Sequence, residues 1–159
     1  MAAERLIVVG VDGSDDGRRA LSWAVQHARV SGATVQVVTA YTWLRDWAYA
    51  AATPDDQRQE VTARQEADIA AVLQECATAP EISRVAVEGD AVEVLTRVAA
   101  GADMLVVGSH GHGAVASALL GSTATGCIRH GSTPVLVVPS HAPAEHADSL
   151  IPAARPVTA

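Results

Sequence analysis

The stretch VVGSHGHGAVASALLGSTATGCIRHGSTPVLVVP, residues 106–139, sets a short apolar run at each end of a span rich in glycine, serine and threonine. Each run is continuous and β-branched, the pattern of a strand buried on both faces. Between them STATGCIRHG (122–131) reads as a short helix that stops at Gly131. Strand, helix, strand in this order predicts a parallel pair joined by a right-handed crossover. Glycine gives up more backbone entropy on folding than any other residue, so its density here needs a physical reason.

The same alternation extends upstream. RLIVVGVD (5–12) reads as a buried strand. In the helix that follows, Ser14, Asp15 or Asp16 can cap the start, Ala20, Leu21, Ala24, Val25 and Ala28 form the apolar face, and Gly32 is the stop. ATVQVVTAY (33–41) is a second strand. TWLRDWAYAAATP (42–54) reads as a long loop, with Trp43 and Trp47 packing on the sheet edge. A helix over roughly 55–78 turns Val61, Ile69, Val72, Leu73 and Cys76 inward. EISRVAVEG (81–89) alternates like a strand. Asp90 and Glu93 form a capping box before Ala91, Val94, Leu95 and Val98. ADMLVVGS (102–109) and TPVLVVPS (133–140) are the fourth and fifth strands. The order predicts one α/β domain over 1–140, an open doubly wound parallel sheet of Rossmann-like type. The Pro/Ala-rich tail 141–159 is expected to be disordered.

Bulk properties narrow the function. The 159 residues are 49% hydrophobic, enough for a sizeable core, and the absence of Phe makes that core aliphatic. A net charge of -7 argues against nucleic acid, which needs a basic face. There is no lysine anywhere, which excludes a P-loop ending in Gly-Lys-Ser/Thr. Cys76 and Cys127 lack metal or disulfide spacing and read as small buried hydrophobes. No apolar run reaches the length of a membrane span, and the N-terminal run is too short for a signal sequence, so a cytoplasmic, soluble protein is expected.

Open parallel sheets bind ligands beyond the carboxyl ends of their strands, where the strand order reverses. Asp12-Gly13-Ser14 and the segment after the fourth strand fall at such ends. Gly108 closes a strand, where a missing Cβ lets a ligand approach the backbone, and Gly111 can take positive φ in the turn. Gly121-Ser122-Thr123 opens a helix whose free N–H groups, dipole and hydroxyls suit a phosphate, with the two hydroxyl residues as caps. With no lysine available, neutral donors would carry the recognition, and His112 could add a partial charge. Simpler readings stand beside these. Glycines between a strand and a helix are ordinary punctuation, and Asp12 can merely cap a turn. His110 and His112 lack a third metal ligand close in sequence, and no G-x-S-x-G elbow is present.

Gly108-x2-Gly111-x9-Gly121-Ser122 resembles the nucleotide signature of the universal stress protein family. VVGVDGSDDGRRALSWA is similar to that family's opening, and GADMLVVGSHGHGA and STPVLVVP match its typical wording, so the resemblance covers about residues 4–139. It implies a five-stranded sheet in order 3-2-1-4-5, a homodimer formed through the last strand (Val135 to Val138), and ATP in the cleft with Mg²⁺ bridging phosphate oxygens. By position, Asp12 would face the ribose and Val11 and Ala40 would border the adenine. Gly108, Gly111 and His112 would line the ribose and phosphate path, and Gly121, Ser122 and Thr123 would hold the phosphates. Many members carry Arg or Lys in place of His112, which points to a weaker or pH-dependent hold on a triphosphate. The function implied is an adenine-nucleotide-binding module of stress or dormancy signalling. The alternatives are a slow ATPase using the same cleft, and a protein that binds cyclic AMP or no nucleotide.

Overall fold

The computed structural model describes residues 5–43, 53–111 and 120–140. Trp47, His112 and the tail 141–159 lie outside them. The elements are β1 (Leu6–Gly10), α1 (Asp15–Ser31), β2 (Thr34–Tyr41), α2 (Pro54–Gln74), β3 (Ile82–Glu88), α3 (Ala91–Val98), β4 (Met104–Gly108), α4 (Ser122–His130) and β5 (Val135–Val138). All strand pairs are parallel, in the order β3-β2-β1-β4-β5 expected from the resemblance.

The continuous apolar runs exist because both faces of the central strands are covered. Ile7, Val9, Val35, Val37 and Val106 pack with Leu21, Ala24 and Val25 of α1. Their neighbours Val8, Val38, Leu105 and Val107 pack on the opposite face with Val94 and Leu95 of α3 and Cys127 of α4. A strand whose side chains alternate between two buried layers has no polar face to show. Cys127 is fully buried, and burial pushes its thiol above the ordinary range, as befits a packing residue.

Local chemistry sets the helix ends, with some departures from the sequence reading. Ser14 is the cap of α1, its Oγ accepting from the Gly17 N–H, and Gly32 ends the helix at φ 70°. α2 starts where expected, at a reciprocal capping box of Thr53 and Asp56 with Pro54 at the first turn, but it ends at Gln74, before Cys76. α3 is capped by Asp90 alone, which accepts from the Val92 and Glu93 N–H groups, while Glu93 pairs with Arg97 at 3.4 Å. α2 also buries more than its apolar residues. Gln65, 2% exposed, donates from Nε2 to Val37 O, Thr39 Oγ1 and Val85 O, tying the helix to β2 and β3. Asp68, also buried, meets Arg18 of α1 at 3.3 Å.

One contact governs where α1 lies relative to β4. A Cβ on Gly108 would come within 2.8 Å of the Asp16 backbone. The space a Cβ would take at this strand end is therefore filled by a helix, a reason for the glycine that the sequence reading did not give. Gly108→Ala must push α1 off β4, and we expect a loss of about 1–3 kcal/mol in chemical denaturation; unchanged stability would contradict this packing.

Candidate functional site

β1 and β4 are neighbours, and their connections leave in opposite directions, so their carboxyl ends form the switch point of the sheet. A cleft of about 440 Å³ opens there. It falls within the size range of small-molecule sites. Val11, Asp12, Ala40, Gly108, Gly111, Gly121, Ser122 and Thr123 all line it. Residues far apart in sequence thus converge as the sequence reading expected, except that His112 lies outside the described residues.

The back wall is apolar. Val38 and Ala40 come from β2, Val107 from β4, and Ala91 and Leu95 from α3. Ala91 and Leu95 were read as part of the apolar face of α3 and not as site residues, since nothing in an amphipathic helix says which end of that face stops short of the core. A flat heterocycle finds contact on such a wall and no polar demand.

The rim is polar and held in place. Asp12 Oδ1 accepts from the Ser14 N–H at 2.9 Å and from the Ser14 hydroxyl, turning the chain into α1. Its other oxygen faces Gly111, where a Cβ would come within 2.8 Å of it. Gly111 therefore does not take the positive φ expected for it; it is bare because the Asp12 carboxylate lies against it. Gly121 is small for a similar reason. Its N–H donates to Ser109 O at 2.7 Å, and a Cβ would sit 2.9 Å from that oxygen. Two of the three signature glycines thus lie against Asp12 and Ser109, and the third admits α1.

The first turn of α4 lies on the opposite rim. Its N-cap is Gly121, with no side-chain hydrogen bond to the cap. Ser122 and Thr123, expected as caps, instead occupy the first helical positions and line the cleft. In α1, α2 and α3 a side-chain oxygen accepts from the first turn. The first-turn N–H groups of α4 and two hydroxyls are left to face the cleft, the arrangement that receives an anion.

Asp16 stands in the first turn of α1, as the sequence reading had it, but it is also buried, 8% exposed, a role that reading did not give it. Its Oδ2 accepts from Ser109 Oγ at 3.1 Å and from the His110 N–H at 3.0 Å, with His110 Nδ1 at 3.7 Å. Ser109 Oγ in turn accepts from the Ser140 N–H at 3.0 Å, so the network joins α1, the exit of β4 and the end of β5. His110 lines the cleft beside it. Among the described residues no group of three or more His, Cys, Asp or Glu is placed to hold a metal ion. A divalent cation here would depend on a ligand's phosphates for most of its bonds.

Comparison with known proteins agrees with this geometry. The universal stress protein family model matches residues 5–139. A universal stress protein of Mycobacterium tuberculosis strain CDC 1551 is 31% identical over 150 residues, covering 84% of this chain and 47% of its own. The chain thus spans about half the length of the first curated relatives it matches. A second universal stress protein of that strain is 32% identical over 148 residues, with 87% of this chain and 98% of its own covered. Among solved structures, a universal stress protein in complex with cAMP is 31% identical, with a TM-score of 0.63 over 88% of this chain and all of the other. The chain belongs to the universal stress protein family.

The Asp16 network generates a direct test. Asp16→Ala removes the acceptor that the Ser109 hydroxyl and the His110 amide share, at an expected cost of about 1–3 kcal/mol. The His110 amide should then exchange with solvent markedly faster than in the wild type. Unchanged protection of that amide would show that the carboxylate does not hold the β4 exit.

Proposed function

We propose that the protein holds an adenine nucleotide in this cleft, ATP with Mg²⁺ bridging its phosphates, and that occupancy is its output in stress or dormancy signalling. The observation that carries the reading is the first turn of α4, free of any side-chain cap and set against an apolar wall at the switch point of the sheet. The wall suits the base, Asp12 stands where ribose hydroxyls can donate to it, and the α4 amides with Ser122 and Thr123 suit the phosphates. The nucleotide-bound relative adds support at the level of the family.

Binding is favoured over turnover. Asp12 is the only carboxylate residue among the described lining, and it is already engaged by Ser14. Phosphoryl transfer calls for charge stabilisation that this lining does not supply. A second reading, cyclic AMP in place of ATP, is favoured by the 31% identical structure solved with that ligand. We also assign a homodimer contact to β5. It ends the sheet, and Val135, Leu136, Val137 and Val138 are each only partly buried.

Two outcomes are expected. Ser122→Asp adds a negative charge at the first position of α4, which favours the helix and repels a phosphate. Calorimetry should show ATP affinity reduced about tenfold or more, with the melting temperature unchanged or higher; unchanged affinity would remove the phosphates from this helix. Titration of the wild type with ATP, cyclic AMP and ADP then ranks the ligands, and cyclic AMP bound far more tightly than ATP would favour the second reading. Light scattering should report the mass of two chains, and a single-chain mass would contradict the β5 assignment.

A further inference from the structure

We propose that Arg64 of α2 supplies the cleft with a positive charge that its described lining lacks and so sets a preference for multiply charged nucleotides. The inference rests on the nucleotide reading above and names the residue that would discriminate among such ligands. No arginine or lysine is found among the described residues lining the cleft, and Asp12 adds a negative charge to it. A polyphosphate placed there needs a counter-charge beyond neutral donors.

The fold brings one to the turn that carries Asp12, just outside that lining. Gly13, next to Asp12, has φ +82°, and a Cβ on it would come within 2.7 Å of Arg64 Cδ, 3.5 Å of Cγ and 3.7 Å of Nε. Residue 13 is therefore bare on two counts. One is its left-handed backbone, and the other is an arginine stem laid across the turn that carries Asp12. Nothing in the sequence separation of these residues suggests the contact; it follows from α2 packing beside α1.

Availability separates Arg64 from the other arginine at this turn. Arg18 Nη1 reaches Gly13 O at 3.5 Å, but its guanidinium is held by Asp15 and by buried Asp68. Hydrogen bonds to those two carboxylates raise its pKa above the ordinary value, the mark of a committed cation. Arg64 instead pairs with Glu60 on its own helix at 3.3 Å, with both side chains more than half exposed. An exposed pair of this spacing is held by a factor of only about two in equilibrium. The guanidinium can leave it for a phosphate, whose oxygens match its fork.

The test compares ATP with adenosine, by calorimetry at fixed salt and Mg²⁺. Arg64→Ala should weaken ATP about tenfold and adenosine less than about twofold. Glu60→Gln frees the guanidinium and should tighten ATP by about twofold, a gain that loss of folding cannot imitate. Equal weakening of ATP and adenosine by Arg64→Ala would reduce the residue to packing, and unchanged or weaker ATP binding in Glu60→Gln would also overturn the assignment. A wild type that binds neither ligand would overturn the nucleotide reading together with this one.

Discussion

The Asp16 carboxylate, buried in the first turn of α1, is the interaction on which the site depends. It accepts from the Ser109 hydroxyl and the His110 amide just beyond β4. A buried carboxylate without donors would be costly, so these groups and α1 hold one another in place. The bare Cα of Gly108 is what lets the helix come close enough for this to happen. Once α1 is seated on β4, the chain leaving the strand passes Asp12, and Gly111 and Gly121 are small because a Cβ on either would meet Asp12 or Ser109. The cleft is the space left in front of that turn.

This arrangement explains an economy in the site's chemistry. Its described lining gathers an apolar wall, one exposed carboxylate residue, backbone amides and hydroxyls, with no arginine or lysine. A pocket of that kind recognises a ligand through shape and helix-end polarity. In the reading proposed above, charge would come from outside that lining, from Arg64 of α2 or from a metal ion travelling with the ligand.

Much of the fold was legible in the sequence because it rests on local periodicity. Val8 and Val9 each face a buried layer, and the run RLIVVG shows it. Ser14, Gly32 and Asp90 mark helix ends through rules that operate within one turn. The site was legible in its membership and less so in its reasons. Gly108 and Gly111 line the cleft as read, but what a Cβ on them would meet is Asp16 and Asp12, which only tertiary packing reveals. Asp16 itself follows Asp15 in an ordinary acidic helix start, and no local signal tells the exposed one from the buried one. Gln65 and Asp68 were missed for the same reason: in a helix as polar as α2, buried polar residues look like surface.

The central claim is that the first turn of α4 receives the anionic part of an adenine nucleotide. Amide chemical shifts recorded by NMR while ATP is added test it residue by residue. The account predicts that the largest changes fall on Ser122, Thr123 and Ala124, with smaller ones at Asp12 and Gly111, and with the amides of β3 undisturbed. Saturable binding that leaves the α4 amides unmoved, or no binding at all, would contradict it.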